Sequence, residues 1–233
     1  TQKGVLSLPP GFENGNNSRY QRALGMECIS CHNGLPDHVD GSLNKFEKVP
    51  LGIDCERCHG PGEAHVKLKQ EGVLVDVSKE IDYSIVNPAK LAYPQQKDLC
   101  QRCHLQGNAI LKEGKDWKDF KPGMDLTDVY DVFMPRLEDQ EGTFYLETHP
   151  NRLLQGACFI ESQKLKGIKA MTCITCHNPH QSVKETKMAY FNSKCIDCHK
   201  NPVLDNCKIE PSSTECISCH MQKSGTVDIP HVT

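Results

Sequence analysis

One motif repeated six times, Cys-x-x-Cys-His, constrains this chain more than any other feature. The copies are Cys28/Cys31/His32, Cys55/Cys58/His59, Cys100/Cys103/His104, Cys173/Cys176/His177, Cys195/Cys198/His199 and Cys216/Cys219/His220. They take twelve of the 14 cysteines in 233 residues. Cys-x-x-Cys-His is the attachment signature of c-type haem, in which both cysteines become thioethers and the histidine ligates iron from the proximal side. A helical turn puts positions i, i+3 and i+4 on one face. Two thioethers then grip the porphyrin edge while the imidazole points at the iron. Zinc is the competing use of Cys-x-x-Cys pairs. It does not require a histidine directly after every second cysteine.

Composition agrees with six covalently attached haem c groups forming the core. The apolar set is 37% of the chain even with the cysteines counted, and aromatics are only 6%. A chain this poor in apolar side chains needs something else to fill its interior. The expectation is a mainly α fold with extensive loop and little or no β-sheet, short helices at the motifs and covalent haems at the centre. The formal charge of -3 mixes 27 basic and 30 acidic side chains, which gives no nucleic-acid footprint and no polybasic anchor. No run approaches the roughly 18 apolar residues of a membrane span. Any export signal is expected to have been removed or to lie outside this sequence.

Five histidines remain as candidate distal ligands: His38, His65, His149, His180 and His231. His180 follows His177 by three residues, a span of at most about 11 Å, too short to pass round a porphyrin to the far side of the same iron. It therefore serves a neighbouring haem if it serves any. His38 and His65 follow their motifs by six residues, at most about 21 Å. Gly60-Pro61-Gly62 fits a type II turn between His59 and His65. The reading is that each motif hands its trailing histidine to another haem. Five histidines for six irons leave at least one iron without a histidine from this chain. Met26, Met124, Met134, Met171, Met188, Met221, a lysine, another chain or an open position would complete it. The haems on Cys100/Cys103 and Cys195/Cys198 have no spare histidine close behind them.

Motif spacing divides the chain into a three-haem cluster at 1–104, a connecting segment at 105–170 and a second three-haem cluster at 171–233. The connector carries the only tryptophan, Trp117. Its run "DLTDVYDVF" places Leu126, Val129, Tyr130 and Phe133 at helical spacing, which predicts a helix packed against the haem clusters. The two cysteines outside the motifs, Cys158 and Cys207, are candidates for a disulfide where such bonds are stable, with two separate buried thiols as the alternative.

The segments "GMECISCH", "GIDCERCHGPGEAHV", "MTCITCHNPH" and "CISCHMQK...DIPHV" resemble the multihaem cytochrome c superfamily. That superfamily includes tetrahaem nitrifier cytochromes, pentahaem nitrite reductases and octahaem hydroxylamine oxidoreductases. The resemblance implies closely spaced, mostly bis-histidine haems, electron transfer along them, and export to the periplasm, the extracellular space or the cell surface. The nitrite reductases mark a catalytic haem with Cys-x-x-Cys-Lys, which does not occur here, and the hydroxylamine branch carries eight haems. Relatives often continue beyond a "DIPHV"-like segment, which implies a longer parent protein.

Two functions follow as expectations. One is a non-catalytic electron relay of six haems that exchanges electrons with redox partner proteins, other multihaem cytochromes or copies of itself. The other is an oxidoreductase with one open-site haem acting on a small nitrogen or sulfur compound. With twelve ionised propionates and six ferric porphyrins the oxidised holoprotein carries about -9 charges, so a basic patch on the partner is expected.

Overall fold

The computed structural model describes residues 24–105, 108–133, 149–164, 170–200, 216–221, 223–224 and 231–232. The chain separates into two compact units, Thr1–Asp54 and Cys55–Thr233.

In the first unit, helix α1 (Met26–His32) carries motif one and buries Met26, Ile29 and Ser30. Strands β1 (Asp37–His38) and β2 (Phe46–Lys48) form an antiparallel ribbon with an irregular register. The chain between them closes on the Ser42 hydroxyl, which donates to the Val39 carbonyl at 2.8 Å. Asn33 ties the end of α1 to the following loop by donating from Nδ2 to the Pro50 carbonyl at 2.6 Å.

The second unit opens with α2 (Glu56–His59) and α3 (Glu63–Gln70). Gly60 terminates α2 at φ +77°, a left-handed conformation open to glycine at little cost. Gly62 has φ -94° and ψ -9° at the start of α3. The type II turn expected at Gly60-Pro61-Gly62 is therefore not formed, because that turn needs positive φ at its third residue. The left-handed residue is the helix-ending Gly60 instead.

Helix α4 (Tyr93–His104) has a proline in its first turn and ends on motif three. Its Leu99 joins Phe120, Leu126, Val129 and Tyr130 in an apolar core among the described residues of this unit, flanked by Trp117, Met124 and Val132. The Arg102 guanidinium covers that core from 5.6 Å above the Phe120 ring and donates from Nη2 to the Trp117 carbonyl at 2.9 Å. Motif three is thus anchored on the connector, and the boundary expected after residue 104 falls inside a packed unit.

The helix expected over "DLTDVYDVF" is absent. Leu126–Asp128 is a single 3-10 turn, capped where the Leu126 N–H donates to Asp98 Oδ2 at 2.8 Å. Tyr130–Phe133 is strand β4, paired antiparallel with β3 (Asn108–Leu111) from Leu111↔Tyr130 to Asn108↔Phe133. The competing signal was the alternation from buried Tyr130 to exposed Asp131, half-buried Val132 and exposed Phe133. Aromatic and β-branched residues favour a half-buried strand, and β3 supplies the backbone partners that an isolated short helix would lack.

The connector does contain helix further on, in α5 (His149–Gln155) and α6 (Ala157–Ser162). Phe159 of α6 packs on Tyr93 of α4 with ring centroids 5.2 Å apart. The last three motifs lie on α7 (Cys173–Cys176), α8 (Met188–Cys198) and α9 (Cys216–His220). The ribbon β5 (Lys223–Ser224) with β6 (His231–Val232) follows. Among the described residues no helix is long and apolar enough to cross a membrane.

Candidate haem sites

All six motifs sit on helical turns at or near the end of a helix. At the motifs where the helix begins after the first cysteine or ends before the histidine, the histidine N–H bonds back to the carbonyl of that first cysteine, His59 to Cys55 at 2.9 Å, His177 to Cys173 at 3.1 Å and His199 to Cys195 at 2.9 Å. That i→i-4 bond gathers both sulfurs and the imidazole on one side of the turn. At motif four the Thr175 hydroxyl accepts the Thr172 N–H at 2.9 Å, which holds the start of the turn.

None of the twelve motif cysteines is joined to another cysteine, so each sulfur is available for a thioether. They differ in how far the polypeptide covers them. Cys28, Cys55, Cys103, Cys198 and Cys219 are exposed, and Cys31 is only half-buried. Motifs one and six share the sequence Cys-Ile-Ser-Cys-His, and in both the serine hydroxyl lies beside the second sulfur, Ser30 Oγ at 3.8 Å from Cys31 and Ser218 Oγ at 3.9 Å from Cys219. Ser30 is buried and Cys31 beside it is not, while α9 buries no residue at all, which leaves Cys219 at the surface. Cys103 stands in the last turn of α4, beyond the stretch where Gln96, Leu99 and Gln101 are buried, and Cys100 of the same motif is half-buried. Within motif three, then, the polypeptide shields the first sulfur more than the second.

At motif two the backbone of a distant loop fixes the tautomer of the imidazole. His59 Nδ1 lies 2.8 Å from the Val86 carbonyl, and the Val86 N–H donates back to the His59 carbonyl at 3.0 Å. A carbonyl only accepts, so Nδ1 carries the hydrogen and Nε2 keeps its lone pair for a ligand. His65, on α3, is held by the same loop: its Nδ1 lies 2.7 Å from Ser84 Oγ.

His180 sits in a turn closed by Asn178, whose Oδ1 accepts the His180 N–H at 3.0 Å and whose carbonyl accepts the Gln181 N–H at 3.1 Å. It faces His59. The two rings are parallel within 6°, with centroids 5.9 Å apart. That is too far for direct ring contact. Two imidazoles that shared one metal through nitrogen bonds of about 2 Å would have a centroid separation of roughly 6 Å.

The motifs of the second unit also come close to one another. The Cys100 thiol hydrogen-bonds Cys173, which raises the Cys100 pKa and lowers that of Cys173 to about 7; burial adds to the rise, and the nearby Cys58 and Cys103 contribute further. Burial lowers the His177 pKa, and the His104 charge beside it lowers it further. Burial pushes the Cys195 thiol up to about 11, with Cys216 and Cys176 as the nearest contributing charges. Motifs two to six therefore form a contiguous series of neighbours. The Tyr93 hydroxyl is buried among them without a hydrogen-bond partner, its pKa pushed up to about 12 by burial and then by Cys173 and Cys100.

Of the remaining candidates, His38 is half-buried on β1 with its ring tilted against Phe46. The side chains of His149 and His231, together with Met134 and Cys207, lie outside the described residues. Cys158 is a free, exposed thiol on α6, close enough to Cys176 to raise its pKa after burial. Sequence reasoning did not single out Asp82, Ser84 or Val86. A carbonyl acceptor leaves no side-chain signature, although Asp-x-Ser is a recognisable Asx-turn pattern.

These residues fit haem. Among the described residues, eight large apolar side chains are buried and nineteen are exposed, including Leu43 at 84%, Leu51 at 101% and Leu74 at 86%. The polypeptide alone does not cover its apolar surface, and a flat apolar ring at each motif would add apolar surface for it to pack on. No group of three or more His, Cys, Asp or Glu side chains converges as a bare metal ion requires among the described residues. When bound, haem would be held by the twelve motif cysteines and six motif histidines, and it would supply one-electron chemistry at iron.

No family model matches the chain and no solved structure matches it. Two curated proteins do. One is the multiheme cytochrome MtrA of Shewanella baltica, 22% identical over 203 residues that cover 83% of this chain and 57% of the relative. The other is the dissimilatory sulfite reductase MccA of Wolinella succinogenes, 22% identical over 250 residues that cover 88% of this chain and 29% of the relative. The chain thus spans a little over half the length of the first and under a third of the second. At this low identity the two similarities support a multihaem cytochrome c family for the chain, and with it covalently bound haem c.

Proposed function

We propose that this chain is a hexahaem electron relay in which most irons are held between two histidines. The observation that carries the reading is the parallel pair His59 and His180. An iron between two imidazoles has no open position for substrate, so it exchanges electrons only. In this reading His59 is the proximal and His180 the distal ligand of the second haem. His65 ligates a further iron, and His38, His149 and His231 are the remaining distal candidates. The contiguous neighbours from motif two to motif six give electrons a path of short steps. The protein's own part is to fix those distances and to tune each potential through ligands, burial and nearby charge. The relay works outside the cytoplasm, in the periplasm or at the cell surface, with redox proteins or further copies as partners.

A second reading is an oxidoreductase with one open iron acting on a small sulfur or nitrogen compound. It is favoured by five spare histidines for six irons and by the similarity to a protein named a dissimilatory sulfite reductase.

Low-temperature EPR of the oxidised holoprotein, followed by carbon monoxide addition to the reduced form, separates the two. Six low-spin irons and no carbon monoxide adduct are expected of the relay. One high-spin iron that binds carbon monoxide would replace it with the oxidoreductase, and sulfite and nitrite would be the first substrates to assay.

A further inference from the structure

The loop from Asp82 to Val86 touches two histidines of the candidate haem sites in chemically different ways. His59 Nδ1 meets a neutral backbone carbonyl, that of Val86. His65 Nδ1 meets the Ser84 hydroxyl, and that hydroxyl is committed elsewhere, because it donates its own hydrogen to Asp82 Oδ1. Asp82 is folded back onto this serine by an Asx turn, its Oδ1 also accepting the Ser84 N–H at 3.0 Å. Its second oxygen, Oδ2, pairs with Lys69 Nζ at 2.7 Å, one turn of α3 beyond His65, and lies 3.6 Å from His65 Nδ1. The Asp82 side chain is only 11% exposed.

The hydrogens in this chain run one way. A hydroxyl has one hydrogen to give, and Ser84 gives it to the carboxylate. Ser84 Oγ can then only accept from His65. Nδ1 of His65 carries a hydrogen, and Nε2 presents a bare lone pair. A ligand imidazole whose N–H is drawn toward a carboxylate is a stronger donor to its metal. Stronger donation favours ferric over ferrous iron.

We propose that Ser84 and Asp82 are positioning residues that fix the tautomer of His65 and lower the reduction potential of the haem whose iron His65 ligates. The inference rests on the reading of His65 as an axial ligand. His59, which has only a carbonyl behind it, is the internal contrast: its haem lacks this anionic support from the loop. The loop thereby sets the potentials of two irons apart, and a potential difference between neighbouring sites gives a relay its direction.

The test uses the full haem-loaded chain, with redox titration followed by visible absorbance and EPR. Ser84→Ala is expected to raise the reduced-to-oxidised ratio of one haem about tenfold at fixed potential, equal to 59 mV for one electron, and to move the EPR g-values of one low-spin signal. Ser84→Thr, which keeps the hydroxyl, is expected to restore both. Asp82→Asn is expected to shift the same haem in the same direction, and it decides the question where Ser84→Ala does not assemble with haem. Unchanged or lowered potentials in these variants, with all irons still low-spin, would overturn the proposal. His65→Ala separates this failure from that of the underlying reading: a new high-spin ferric signal keeps His65 as a ligand, and its absence removes the ligand and the proposal together.

Discussion

His59 and His180 hold their imidazoles parallel within 6° at a centroid separation of 5.9 Å, although one belongs to motif two and the other follows motif four. A side chain from the second motif cluster thus faces the motif-two histidine of the first. If one iron lies between them, His180→Ala removes one axial ligand and leaves the haem attached through Cys55 and Cys58. About one iron in six becomes high-spin and binds carbon monoxide when reduced. His180→Met keeps the iron low-spin and raises its potential. EPR and redox titration read both outcomes, and a low-spin His180→Ala protein would break the pairing.

The clasp between His59 and Val86 is two-sided, with the Nδ1 hydrogen going to the Val86 carbonyl and the Val86 N–H to the His59 carbonyl. Val86→Pro deletes the N–H donor while leaving the carbonyl in the sequence. Leaving a part-buried carbonyl without its partner costs about 1 to 3 kcal/mol. Denaturant unfolding should show that loss, and the EPR signal of the second haem should broaden as His59 loses its fixed orientation.

The apolar core among the described residues of the second unit is small, so single truncations there weigh heavily. Leu126 is 3% exposed beside fully buried Val129. Leu126→Ala is expected to cost about 2 to 5 kcal/mol, the range for deleting a buried leucine side chain. Because Leu99 of this core lies on α4 next to motif three, circular dichroism and the EPR signal of the third haem should respond together. A loss under about 0.5 kcal/mol, as at an ordinary surface site, would show that the connector does not anchor α4.

Leu43, Leu51, Leu74 and Tyr83 are at least 84% exposed, and in the loaded protein porphyrin faces are expected to cover part of the apolar surface. Chain made without haem attachment should bind a hydrophobic dye and lose cooperative unfolding. A cooperative unfolding transition in that apoprotein would mean that the polypeptide supplies its own core.

The helical turn at each motif was legible in the sequence because it is local: two cysteines and a histidine at i, i+3 and i+4 face one way only when the backbone coils. How far the polypeptide covers each sulfur was not, since Cys31, Cys103 and Cys219 differ from their motif partners through neighbours that the motif does not encode. Elements that depend on a distant partner were equally hidden. The apolar residues of "DLTDVYDVF" match both a helix and a strand, and β3, preceding it by more than a turn's length of chain, decides for the strand. The turn after His59 was misread for a different reason. Gly60 and Gly62 both permit positive φ, and the end of α2 claims Gly60 for it. That His180 would lie against His59 was beyond reach, since contour length says which irons a histidine cannot serve but not which it does. Val86 contributes through its backbone, and no side chain marks it.

The contribution of Asp82 should not depend on pH across the physiological range. The ion pair with Lys69, and after it the Ser84 hydroxyl and N–H, hold the Asp82 carboxyl well below the ordinary carboxylate pKa. A depressed carboxylate contributes its stabilisation above its unfolded pKa of about 3.9 and loses it only as pH falls through the lower folded value. Asp82 therefore stays anionic from about pH 5 to about pH 8, well above that range of loss. The difference in haem potential between the native protein and Asp82→Asn is expected to be constant over this interval and to shrink only in stronger acid. Redox titrations of both proteins at the two ends of the interval check it. A difference present near pH 8 and gone near pH 5 would mean that the carboxyl takes up a proton there, and that Lys69 does not hold it as the 2.7 Å contact requires.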